Sequence, residues 1–264
     1  MKSSDLYYKK IYRILTESNI SEFNYGDYLF ADPDSGEFDD VTFRKFLAKW
    51  SSKEEVNTED ESNFLIDLES YISYNTAPAE FATILKALMP LKSKFPGILD
   101  PTKASVTRTK FVYRGTNIPI NSISKYTAKK TESYIEYNNP IKLKTKGTKG
   151  FMSFSIDEGI AYEFATNFGD SEDQTIELLD KGLISVIICI SISESNLIMN
   201  PDFMKNLTST EYSDTELETF YLGDSLTTSK ILIPIEIIET IDENFDQIPD
   251  KYKLDYKNIL KSNI

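Results

Sequence analysis

Glu216 and Glu218 stand one residue apart, just ahead of the strand-favouring run Phe220-Tyr221-Leu222. On an extended backbone alternate side chains share a face, so the two carboxylates would point the same way, roughly 6–7 Å apart at ~3.3 Å rise per residue. Phe220 and Leu222 would continue that face inward, and Gly223-Asp224-Ser225 reads as the turn that ends it. Two same-strand acids could flank a glycosidic bond, at a separation between the retaining and inverting ranges. Taken alone, Glu-x-Glu is also what a surfacing strand end looks like, with both acids in water.

Two further stretches carry groups that could work beside those acids. Lys110-Phe111-Val112-Tyr113-Arg114-Gly115 ends a predicted strand on an arginine followed by a glycine. A guanidinium fork matches phosphate oxygens in bidentate fashion, and Gly115 would let a ligand or another backbone come close. Phe151-Met152-Ser153-Phe154-Ser155 puts two hydroxyls on one strand face, with Met152, Phe154 and Ile156 on the other. A hydroxyl facing a carboxylate can donate to it and hold its rotamer. Ser155-Ile156-Asp157-Glu158 is also a capping-box pattern, which makes Ser155 a helix cap and leaves Ser153 as the stronger site candidate.

The elements that must position these residues follow from periodicity. Strands are expected at 110–114, 151–155, 183–192, 217–222 and 230–238, with one helix over 158–168 whose apolar stripe is Ile160, Phe164, Ala165 and Phe168. The first ~95 residues read as helices: 5–17, a segment after Asp39 or Asp40 burying Phe43, Phe46, Leu47 and Trp50, a capping box at Thr58-Glu59-Asp60-Glu61, and a helix opened by Thr76-Ala77-Pro78 that ends or kinks at Pro90. Phe95-Pro96-Gly97 through Asp100-Pro101 reads as a linker, and 242–264 as a polar helix or tail. Lys142, Lys144, Lys146 and Lys149 form a basic stretch of the kind that guards an exposed edge. The fold class is therefore α+β: residues 1–95 a helical N-terminal region, 105–240 a strand-rich domain, 241–264 a C-terminal helix or tail.

Composition narrows the chemistry. Histidine is absent, which removes Ser-His and Cys-His catalysis and histidine-ligated zinc. The single cysteine, Cys189, lies in Val186-Ile187-Ile188-Cys189-Ile190 and reads as a buried inert thiol. A net charge of −13 makes the chain a poor generic nucleic-acid binder and favours basic partners. No apolar run approaches the ~20 residues of a membrane span, and the first residues lack an apolar signal core, so a cytoplasmic protein is expected.

Arginine at a strand end, Ser-x-Ser before a helix, then Glu-x-Glu opening a late strand: over roughly residues 105–240 the chain resembles the mono-ADP-ribosyltransferases of the Arg-Ser-Glu class. Ala161-Tyr162-Glu163-Phe164-Ala165 is similar to the helix those enzymes carry after the serines. The flavour is closest to bacteriophage enzymes that modify host proteins, then to actin-modifying bacterial toxins. The Ser-Thr-Ser of many members is Ser153-Phe154-Ser155 here. The resemblance implies two packed sheets around an NAD cleft, NAD as substrate, and no metal. It implies that Glu218 bonds the ribose 2′-hydroxyl and stabilises an oxocarbenium-like transition state. Ser153 would hold Glu218, and Arg114, with Gly115 and Ser155 nearby, would hold the NAD phosphate. Glu216 would orient and deprotonate an acceptor arginine, and the loop at about 207–215, with Tyr212, would touch the target. The expected protein is a monomer acting on a host or target-cell protein, with nucleic acid left open only as an acceptor. An NAD glycohydrolase and a non-catalytic virion or interaction protein are the alternatives.

Overall fold

The computed structural model describes residues 88–105, 110–144, 151–166, 172–202 and 217–261, with the isolated positions Val41, Thr42, Lys45, Ala48, Leu85 and Lys86. The chain divides into two compact units, Met1–Phe64 and Leu65–Ile264. In the first unit Val41, Thr42, Lys45 and Ala48 are helical; the other expected N-terminal helices up to Phe64 lie outside the described residues. In the second, Leu85 and Leu88 are helical and fully buried, and Pro90 falls in a 3-10 turn, Met89–Leu91.

The second unit is mixed α+β, built on a large antiparallel sheet. Its strands are β1 (Phe111–Pro119), β2 (Lys129–Lys130), β3 (Tyr134–Tyr137), β4 (Lys142–Lys144), β5 (Phe151–Ser155), β6 (Leu183–Ser191), β7 (Leu197–Ile198), β8 (Glu218–Leu222), β9 (Ser225–Thr227) and β10 (Lys230–Pro234). Eight of them pair in the order β2-β3-β10-β6-β1-β5-β8-β7, and β4 and β9 form a separate two-stranded ribbon. The helices are α1 (Pro96–Leu99), α2 (Glu158–Thr166), α3 (Glu172–Asp180), α4 (Ile235–Glu243) and α5 (Asp250–Lys261). Among the described residues no helix is long and apolar enough to cross a membrane.

β1 and β6 form the spine, in register from Phe111↔Ser191 to Pro119↔Leu183. The near-continuous apolar run of β6 follows from its cover on both faces. Ile184, Val186, Ile188 and Ile190 join the larger core, which also takes Ile238 and Ile241 of α4 and Tyr256 and Ile259 of α5. Ile187 and Cys189 face a smaller cluster with Tyr113, Leu232 and the α2 residues Ala161 and Ala165. The larger core takes Met152 and Phe154 from β5 and Tyr221 from β8 as well, so both halves of the sheet feed one apolar interior. The halves are joined by a single rung: β1 and β5 pair only at Tyr113↔Ser155.

Two expectations are corrected. Residues 96–103 are packed structure rather than a linker: Ile98, Leu99 and Pro101 are buried. The Met199 and Asn200 N–H groups donate to the Leu99 and Ile98 carbonyls, at 3.0 and 2.7 Å. The last strand stops at Pro234, where α4 starts; Ile235, Ile238 and Ile241 recur at helical spacing, which overrides the β-branched composition. Of the two forms expected for the C-terminal segment, the helix is the one formed: α5 buries Tyr256, whose hydroxyl donates to the Leu183 carbonyl at 2.5 Å. Lys142 and Lys144 are exposed on the same side of β4, as an edge-guarding role expects, while Lys146 and Lys149 lie outside the described residues.

Candidate active site

Arg114 lies one residue beyond the Tyr113↔Ser155 rung. Continued one for one, the antiparallel ladder would set Gly115 opposite Ser153. The strands instead share no further rung, and the Arg114 side chain crosses to β5. Its Nη1 donates to the Ser153 carbonyl at 2.8 Å and to Ser153 Oγ at 2.9 Å. A charged donor thus caps the carbonyl where backbone pairing stops. Its Nε is buried and has no acceptor among the described residues. Buried donors are almost always paired, so this edge of the guanidinium is suited to an incoming oxygen.

On the other side β5 pairs with β8, setting Ser155 opposite Glu218 and Ser153 opposite Phe220. Ser153, Ser155 and Glu218 therefore share one face, with Ser153 one diagonal step from the carboxylate. This alters the expected division of labour. Ser153 Oγ is engaged by Arg114, and Ser155 is the serine in register with Glu218. Ser155 is buried, and its Oγ accepts the Asp157 N–H at 2.9 Å. The cap of α2 is Asp157, whose Oδ1 accepts the Gly159 N–H at 2.8 Å, so a single Asp cap stands two residues after the expected Ser155 cap.

Glu218 is half-buried, with one carboxylate oxygen fully enclosed. It opens β8, and the residue before it breaks the strand: Leu217 has φ +46°. A left-handed residue is uncommon for a non-glycine and marks the point where the regular strand begins. Glu216 and Tyr212 themselves lie outside the described residues.

Gly115 is not available to a ligand. A Cβ there would meet the Ala161 carbonyl oxygen at 2.3 Å and the Ala165 nitrogen at 2.5 Å. The glycine, with Ala161 and Ala165, lets α2 lie close on β1. The same packing corrects the stripe of this helix: Phe164 is 47% exposed, and the small alanines form its buried face, while Phe168 lies outside the described residues.

Sequence reasoning missed an acid–phenol group on the α2 side of the sheet. The Tyr113 and Tyr134 phenols lie close enough to the Glu158 carboxylate to feel its charge, and Tyr162 donates to Glu236. Burial first, then the Glu158 charge, pushes the Tyr113 phenol up to about 12. Burial, with the Glu158 carboxylate nearby, pushes the Tyr134 phenol up as well. The legible signal was Glu158 at the helix start with aromatic residues at strand positions, but only the register brings Tyr113 and Tyr134 to it. Cys189 is buried and its thiol is pushed up to about 12, chiefly by burial, which fits an inert core role. Among the described residues no three His, Cys, Asp or Glu side chains are grouped to hold a metal ion.

Comparison with known proteins matches no family model, no curated protein and no solved structure.

Proposed function

We propose that the chain transfers ADP-ribose from NAD to a protein side chain, with arginine as the preferred acceptor. The observation that carries this reading is the meeting of Arg114, Ser153, Ser155 and Glu218 from three strands, with a buried guanidinium N–H that lacks an acceptor. Their order and types match the Arg-Ser-Glu pattern that the sequence resembles. The sheet's two halves share one rung beside these residues, which supports a reading in which backbone pairing gives way to a side-chain site there.

The chemistry suits these groups. Breaking the bond between nicotinamide nitrogen and ribose C1′ sends the bonding pair to the pyridinium ring, which leaves neutral. Positive charge grows on C1′ and the ring oxygen. A carboxylate held in place by surrounding structure stabilises that charge without reorganising. Glu218 takes this role, its enclosed oxygen held away from bulk water. Arg114 offers its unused edge to a phosphate oxygen, while Ser153 fixes the other edge. The acceptor nitrogen then attacks C1′ and loses a proton, which is the step assigned to Glu216.

The test is direct. The purified protein is incubated with labelled NAD and a bacterial lysate, and the labelled protein and residue are identified by mass spectrometry. Label on an arginine, abolished by Glu218→Gln with at least about a 100-fold loss of nicotinamide release, is expected. Release of nicotinamide with no labelled acceptor would convert the reading to an NAD glycohydrolase. A fully active Glu218→Gln protein would remove Glu218 from the chemistry.

A further inference from the structure

Leu217 has a backbone conformation that a branched side chain rarely adopts, at φ +46°, and it immediately precedes Glu218. Nothing in the turn chemistry of the sequence demands a leucine there. Glycine or asparagine would take this conformation without the steric penalty. The residue is fixed by contacts on both its backbone and its side chain. Its carbonyl accepts the Ile156 N–H at 3.3 Å, which carries the β5–β8 pairing one step past the last strand rung. Its side chain is partly buried against the larger core. On the far side of Glu218, Thr219 is fully buried, and its hydroxyl donates to the Ile198 carbonyl at 2.8 Å. Glu218 is therefore suspended between two anchored neighbours, one of them in a conformation that holds only because its surroundings over-determine it.

We propose that Leu217 is a positioning residue: its apolar anchor locks the left-handed turn and thereby aims the Glu218 carboxylate at the face shared with Ser153 and Ser155. The proposal rests on the reading of Glu218 as the catalytic carboxylate. A bulky residue is used because its side chain ties the turn to the core. Glycine would permit the same φ and many others, so the turn would no longer specify one direction for the next residue.

Three variants separate anchor from strain. Leu217→Gly and Leu217→Asn both tolerate the left-handed conformation and lose the apolar anchor; Leu217→Met keeps an apolar side chain of similar volume. Steady-state nicotinamide release should fall about 10–100-fold in kcat for the Gly and Asn variants, because small displacements of a catalytic group are costly. Their KM for NAD should stay within about twofold, since Arg114 and its partner are untouched. The Met variant should retain near wild-type kcat. Wild-type kcat in both the Gly and Asn variants would overturn the proposal, as would equal loss in the Met variant. A second readout does not depend on turnover. In protein carrying ¹³C-carboxyl glutamate, with Glu218→Gln to assign the signal, the Glu218 resonance should broaden or shift in the Gly and Asn variants only. If the wild-type protein releases no nicotinamide, the functional reading falls and that resonance alone decides the positioning: a change confined to those variants upholds it, and an unchanged signal rejects it.

Discussion

Replacing Arg114 by lysine keeps the charge and removes the fork. The guanidinium spends Nη1 on the Ser153 carbonyl and hydroxyl and still has another edge to present; an ammonium is a point charge that cannot do both with fixed geometry. Arg114→Lys is therefore expected to weaken NAD binding by roughly tenfold, measured by calorimetry, with little loss of fold, since hydrogen bonds from charged groups are worth about 1.5–3 kcal/mol. The two serines should separate. Ser153→Ala removes one acceptor from Arg114 and should raise the NAD dissociation constant, whereas Ser155→Ala removes the hydroxyl facing Glu218 and should lower kcat. Equal effects of both on kcat alone would contradict the division drawn from the register. These residue types and their order were legible in the sequence. Which serine serves which partner was not, because that depends on a strand register set by pairing partners about 40 and 65 residues away.

At the scale of elements, α2 and β1 make the sharpest prediction. Gly115 faces backbone atoms of α2, which cannot swing aside as a flexible side chain would. Gly115→Ala should destabilise the protein by about 1–3 kcal/mol, read from denaturant unfolding, because overpacking shifts the helix from the sheet. It should also disturb Arg114, its immediate neighbour, so NAD affinity should fall with stability. The glycine was visible in the sequence as a place of close approach, yet what approaches is a helix and no ligand. Strand cores at 151–155 and 183–191 were readable from alternation and from a long apolar run. The short strands β2, β4, β7 and β9 were not, since two or three residues carry too little periodicity. The switch from strand to helix at Pro234 was hidden by an isoleucine-rich composition that suits either element.

For the second unit as a whole, burial of neutral acids predicts an alkaline limit. The Cys189 thiol is pushed up to about 12, by burial first, with Lys230 opposing and Glu158 and Glu136 adding; the Tyr113 phenol is pushed to about the same value. In the unfolded chain these groups ionise near about 8.5 and 10. Raised folded values mean that their contribution is complete below the unfolded values and is lost as pH rises toward 12, at up to about 1.4 kcal/mol per pH unit per group. The melting temperature should therefore hold near neutral pH and fall steadily above about pH 9. Cys189→Ala should delay the onset to the tyrosine range, and a melting temperature flat to pH 11 would contradict the burial argument. Taken alone, the sequence settled the α+β class, the absence of histidine and of any intrachain disulfide, and the positions of the main strands, because side-chain chemistry and short-range periodicity are local properties. Tertiary structure alone decided that Arg114 crosses to β5, that Ser155 faces Glu218, that Gly115 serves a helix, and that Leu217 turns left-handed. Each of those outcomes is a contact between segments distant in the chain, and such contacts arise only when the competing burial and hydrogen-bonding needs of the folded unit are satisfied together.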